Sequence, residues 1–159
     1  MSAAMLTAAL PRVLAAAGLA MALAACSPGG GQALSPGLTA RMDQPGAQVN
    51  RVEALFLLND YRRAQGATDL RGDTLLDQQA QAMAASYAQS GVAPALPGGV
   101  MSMRLSAGYA TFAEVFSGWR GVPADAAALA DQRAGRAGLG VAYEANSTHG
   151  VYWVLLLGQ

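Results

Sequence analysis

The sequence predicts an α+β fold, and three observations carry that expectation. Apolar residues recur at helical spacing between Asn50 and Ser90, the chain ends in two β-branched and aromatic runs, and glycines and prolines separate these textures. The folded domain is expected over 49–159, behind a segment 1–25 and a second segment 26–48 of different composition.

The first helix is expected from Asn50 to Gln65. Val52, Leu55, Phe56 and Leu58 form its apolar spacing and Gly66 is placed to end it. Arg62 and Arg63 could hold an anionic partner, but paired arginines on a helix are more often a solvated face, and that reading is preferred. A second helix is expected from about Asp73 to Ser90. Asp73 or Thr74 would be its N-cap, Leu75, Leu76, Ala80, Met83 and Tyr87 one face, and Gly91 the stop.

Val92 to Val100 carries prolines and glycines and is expected as a loop. Thr111-Phe112-Ala113-Glu114 has the capping-box pattern, in which a threonine oxygen and a glutamate carboxylate each take a free backbone amide. It opens a third helix running to about Trp119, and a short helix from Ala124 to Asp131 follows Pro123. Gly138 to Tyr143 and Val151 to Leu157, joined by the polar stretch Glu144 to Gly150, are expected as an antiparallel hairpin inside a sheet.

The N-terminal segment reads as an export signal. Arg12 precedes an apolar run from Val13 to Leu23, followed by the small residues Ala24 and Ala25 and then Cys26. The run falls short of the about 20 residues that a helix needs to cross a bilayer, so a permanent membrane span is the weaker reading. Leu23-Ala24-Ala25-Cys26 resembles the bacterial lipobox, and the resemblance implies cleavage before Cys26, diacylglycerol on its thiol and a further acyl chain on the new α-amino group. Several acyl chains on one residue anchor firmly, because each buried methylene contributes about 0.8 kcal/mol. The alternative is ordinary cleavage that leaves Cys26 as a free thiol. Cys26 is the only cysteine, so no intramolecular disulfide can form. Ser27 follows it, without the aspartate of an inner-membrane retention signal, which points to the outer membrane facing the periplasm. Residues 26–48 are rich in Gly, Pro, Ser and Gln and are expected as a flexible tether.

Charge excludes one class of partner. The formal net charge is zero, all ten basic residues are arginine, and no stretch gathers like charges, so nucleic-acid binding through a basic face has no support.

Leu57-Leu58-Asn59-x-x-Arg62, followed by Gly66, Leu70, Leu75 and Ala80-Gln81-Ala82, resembles the opening helices of bacterial CAP-domain proteins, the superfamily of cysteine-rich secretory proteins, antigen 5 and pathogenesis-related 1 proteins. Ala107-Gly108-Tyr109-x-Thr111-x-x-Glu114-x-x-x-x-Trp119 is similar to that family's middle helix and its lead-in. Gly138-Leu139-Gly140-Val141-Ala142 with Tyr152-Trp153-Val154 is similar to its terminal hairpin. The resemblance implies a three-layer α-β-α sandwich around a small antiparallel sheet.

Many members of that family carry a cavity tetrad of two histidines and two glutamates that in some binds a divalent metal, a donor set that suits zinc. Here the resemblance puts no histidine near Ala95, Met103 where one glutamate belongs, and Asp125 where the second histidine belongs. Glu114 alone remains, so no bound metal and no other cofactor is expected. Met103, Tyr109, Glu114 and Asp125 are the candidate cavity residues.

Each candidate has a plainer role available. Glu114 also fits the capping box, and Asp125 also fits the first turn of a short helix, where a negative charge is favourable. His149 is the sole histidine and lies beside Ser147 and Thr148, but a flexible loop supplies neither an oriented base nor an oxyanion hole. Trp119, Tyr109, Trp153 and Tyr152 could line a groove for an apolar ligand or glycan; for Trp119 and Trp153 core packing is the preferred reading.

The sequence therefore supports a lipid-anchored envelope protein whose domain has a binding or structural role, with an envelope protein, a glycan or a lipid as partner. The alternative is a hydrolase acting on envelope peptides or glycans through Glu114 and Asp125, and catalysis stays open between the two.

Overall fold

A computed structural model describes residues 33–159 of the chain. Cys26 and the expected export signal lie outside the described residues. The elements run α1 (Pro36–Thr39), α2 (Arg51–Ala64), β1 (Arg71–Gly72), α3 (Thr74–Ser90), β2 (Ser102–Ala107), α4 (Phe112–Gly121), α5 (Pro123–Leu129), β3 (Arg136–Tyr143) and β4 (Val151–Gly158).

Local chemistry fixes the helix ends. Asn50 caps α2 by accepting from the Glu53 amide, and Asp73 caps α3 by accepting from the amides of Leu75 and Leu76. Gly91, at φ 68°, ends α3 in the left-handed conformation that glycine adopts without strain. Thr111 and Glu114 complete the capping box of α4.

The four strands form one sheet in the order β1-β3-β4-β2. The expected hairpin is its centre, with β3 and β4 antiparallel from Arg136↔Gly158 to Tyr143↔Val151. β2 adds antiparallel to β4, while the two-residue β1 pairs parallel with β3. Neither flanking strand was among the sequence expectations. β2 is half-exposed along its whole length and lacks a run of large apolar residues, so it gives a weak strand signal.

Successive residues of a strand face opposite sides of a sheet. Trp153, Leu155 and Leu157 of β4, with Leu139 and Val141 of β3, form one core with residues of α1, α2 and α4. Val154 and Leu156 turn the other way and form a second core with Leu76, Ala80 and Ala84 of α3. β4 is buried throughout. The result is the three-layer α-β-α sandwich.

Three sequence expectations need correction. The tether does not extend to residue 48. Leu38 and Met42 are buried, and the Met42 amide donates to the Ala110 carbonyl at 2.7 Å. A few isolated apolar residues in a Gly- and Pro-rich stretch suffice here because each enters the core between α2 and α4. Secondly, Val52, Phe56 and Leu75 do not face the core and are 79%, 65% and 74% exposed. The buried stripe of α2 is Ala54, Leu58, Asn59 and Arg62.

Arg62 is the third correction. It is fully buried, and its guanidinium donates to the carbonyls of Thr68, Leu129, Asp131 and Ala134 at 2.6 to 3.1 Å. Burial pulls its pKa below the ordinary guanidinium value. One helix turn earlier, Asn59 exchanges two hydrogen bonds with the backbone of Leu70. The pair Asn59 and Arg62 thus clamps two irregular segments to α2. Arg63 remains on the surface, bonded to Asp60 and Asp69.

Candidate functional site

The four candidate cavity residues have separate structural duties. Met103 packs against the α3 core with Leu105. Its neighbour Arg104 faces the opposite side of β2, where Nη1 meets Asp125 Oδ1 at 2.6 Å. Both partners are mostly buried, at 19% and 26% side-chain exposure, so this pair ties α5 to the edge strand rather than standing in solvent. Met103 and Asp125, which the sequence resemblance put at two tetrad positions, thus lie on opposite sides of the sheet.

Glu114 is spent at the start of α4. Its Oε2 accepts from the amides of Ala110 and Thr111, each at 3.0 Å, while the Glu114 amide donates to Thr111 Oγ1 at 3.2 Å. Tyr109 is partly exposed and its phenol lies over Gly118, where a Cβ would fall 2.7 Å from the hydroxyl. The Tyr109 carbonyl takes the indole N–H of Trp153 at 2.9 Å. Trp119 likewise donates its indole N–H to the Leu105 carbonyl at 3.2 Å. Both tryptophans are buried, so their rings join helix to sheet and their polar atoms are satisfied inside the protein.

In the hairpin loop Ser147 is tied to the backbone. Ser147 Oγ donates to the Glu144 carbonyl at 2.7 Å and accepts from the Gly150 amide, which makes it a turn-forming group. His149 is exposed and sits edge-on to Tyr152 with 6.0 Å between ring centres. It is not hydrogen-bonded to Ser147, as a nucleophile-and-base pair would require.

A feature that the sequence did not signal is a polar strip along β3. β1 covers only Arg136 and Ala137 of that edge. Beyond them α3 substitutes for a neighbouring strand. Asp77 Oδ1 accepts from the Leu139 amide at 2.8 Å, and Gln81 Nε2 donates to the Val141 carbonyl at 2.7 Å. Arg51 of α2 completes the strip, with Nε on the Leu139 carbonyl at 2.8 Å and near Asp77 at 3.3 Å. These side chains satisfy an edge that would otherwise invite another strand. Asp77 and Gln81 are four apart on α3, so both reach the same edge, a spacing visible in the sequence only once the edge is known. Beneath the strip lies a cavity of about 40 Å³, lined by Leu55, Leu58, Phe112 and Leu139 among others. It has room for a few water molecules and not for an ordinary ligand, whose pockets run to roughly 300 Å³ or more.

The divalent metal that the tetrad would hold is not matched by these residues. No imidazole is present at the site, Met103 faces away from it, and the Asp125 carboxylate is bonded to Arg104. Among the described residues no three His, Cys, Asp or Glu side chains are grouped as a metal site.

Comparison with known proteins shows what the fold is. No protein-family model and no curated protein sequence matches the chain. Among solved structures, the protein MpPR-1i is similar with a TM-score of 0.57 and 18% identity, over 67% of this chain and 88% of the other. An outer surface protein of Borrelia burgdorferi is similar with a TM-score of 0.53 and 17% identity, over 72% of this chain and 98% of the other. An SCP-domain extracellular protein of Bacillus anthracis has a TM-score of 0.55 and 13% identity, over 68% of this chain and 40% of that longer one. At these identities the similarity establishes the fold, which is that of CAP (SCP) domains.

Proposed function

We propose that the chain is a lipid-anchored envelope protein whose CAP-fold domain acts by binding or by structural placement rather than by catalysis. One observation carries the proposal: the two carboxylates that the sequence offers for chemistry are already committed. Glu114 holds the first amides of α4, and Asp125 holds Arg104 across to β2. A two-carboxylate hydrolase needs both groups facing one substrate bond, roughly 5 to 10 Å apart and free to exchange protons with it.

Export and anchoring rest on the run from Val13 to Cys26. Two similar structures are described as an outer surface protein and an extracellular protein, which agrees with that placement. The lipid on Cys26 is the proposed means of attachment; among the described residues no helix is long and apolar enough to cross a membrane. The proposed outer-membrane residence rests on Ser27 in place of a retention aspartate. The partner classes are an envelope protein, a peptidoglycan-derived glycan or a lipid.

The test compares wild-type protein with Glu114→Gln and Asp125→Asn on peptidoglycan and peptide substrates, alongside fractionation of Cys26→Ser. The proposal expects no turnover above background in any form and a soluble or unprocessed protein from Cys26→Ser. Turnover abolished by either carboxylate substitution would establish the hydrolase instead.

A further inference from the structure

We infer that the α1–α2 face carrying Leu34, Val52 and Phe56 rests on the bilayer interface, holding the domain in one orientation on the membrane. The inference depends on the proposed anchor at Cys26. Val52 and Phe56 are four apart on α2, so their side chains stack on one face, and they are 79% and 65% exposed. Leu34 is 49% exposed where the chain enters the domain. Leu34 is held beside α2 through its neighbour. Ser35, next to Leu34, donates to Glu53 at 2.5 Å, and Glu53 lies one residue from Val52 and three from Phe56.

The length of chain outside the domain says what covers this face. Only seven residues, 27–33, separate Cys26 from Leu34. Even fully extended they span about 25 to 30 Å, so a lipid on Cys26 keeps the entry point close to the bilayer. The surface beside the entry point is the one that a short anchor presents, and it carries these exposed apolar side chains. Such confinement raises the effective concentration of the patch at the membrane, so weak apolar contacts suffice. The charges on α2 nearby, Arg51, Glu53, Asp60 and Arg63, are mixed in sign; Arg51 is bonded to the Leu139 carbonyl and lies near Asp77, and Arg63 is bonded to Asp60 and Asp69. Apolar insertion, rather than attraction to anionic headgroups, is the matching chemistry.

The test uses the full chain, exported and processed, in phosphatidylcholine vesicles containing nitroxide-labelled lipid. With Cys26 acylated, a thiol-reactive environment-sensitive fluorophore reports only from Phe56→Cys or, on α3 across the sheet, from Gln89→Cys. The inference expects a blue shift and strong quenching at position 56, neither at position 89, and no change when phosphatidylglycerol is added. Vesicle-bound protein with equal quenching at both positions, or none at position 56, would overturn the orientation while leaving the anchor intact. Protein that fails to bind vesicles at all would overturn both. A concentration-dependent blue shift at position 56 in lipid-free Cys26→Ser protein would assign the face to a second copy of the chain and overturn the membrane contact.

Discussion

Gly140 of β3 lies so close beneath Ala80 of α3 that a Cβ on the glycine would fall 2.3 Å from the Ala80 carbonyl carbon and oxygen. Gly138 meets Leu76 and Asp77 in the same way, with 2.2 Å to the nearest backbone atom. The two glycines let α3 sit directly on the strand, which brings Asp77 and Gln81 within reach of its edge amides and carbonyls. A Cβ at either position would push the helix away and break those bonds as well. Gly140→Ala should therefore destabilise the domain by at least about 2 kcal/mol in urea unfolding. Gly98→Ala, in open space with nothing within 4 Å, should stay within about 0.5 kcal/mol of wild type.

Arg62 should be irreplaceable in a way that Arg63 is not. Replacing Arg62 by Met keeps the side-chain bulk but leaves four carbonyls without their donor, at a loss of about 3 kcal/mol or more. Lysine restores the charge without the planar fork, so Arg62→Lys should recover little of the loss. Arg63→Lys on the exposed face should change stability by less than about 0.5 kcal/mol. Chemical unfolding of the three variants checks the ranking.

Glu114 and Asp125 should report on stability alone. Thr111→Ala and Glu114→Ala each remove half of the capping box and should cost about 1 kcal/mol. Asp125→Asn and Arg104→Met should show a coupling of about 1 kcal/mol in a double-mutant cycle, because the pair is largely shielded. Equal stability losses from the two single substitutions with no coupling would mean that the pair does not hold α5 to β2.

Acid should unfold the domain through aspartates tied to the backbone and to arginines. Asp131 is held down to about 2 from its ordinary 3.8, chiefly by the Arg133 guanidinium and also by the Arg133 amide. Asp73 is lowered as well, first by the Leu76 amide it caps. A carboxylate with a depressed folded pKa contributes stability that is complete above its unfolded pKa and is lost as pH falls through the folded one. The Asp131 contribution should thus be constant above pH 3.8 and decline toward about pH 2. Asp131→Asn should flatten that part of a stability–pH curve. An unchanged acid slope would contradict the assignment.

The parts of the fold that were legible in the sequence are those set by neighbours in the chain. Asp73, Thr111 with Glu114, and Gly91 announce helix ends through residues one to four positions apart, and all occur where expected. The β3–β4 hairpin is legible because its strands are buried on both faces and read as continuous apolar runs. What was missed depends on distant partners. Arg62 looks like any surface arginine until the segment 129–134 folds over it. Val52 and Phe56 fit a helical period as well as Leu58 does, yet among the described residues no layer covers them. Leu38 and Met42 are isolated in a Gly- and Pro-rich stretch, and only the gap between α2 and α4 makes them core. At the candidate site, the sequence pointed to the capping role of Glu114, whereas the Arg104–Asp125 pair across β2 and α5 had no local signal.

The most direct test of the central claim is the mass of the N-terminal peptide of the mature protein isolated from cell envelopes. Lipid anchoring predicts a chain that begins at Cys26 with a diacylglyceryl group on sulfur and an acyl group on the α-amine. A mature chain beginning after Cys26, or one that retains Cys26 as a free thiol, would contradict lipid anchoring and with it the membrane-facing role of the α1–α2 surface.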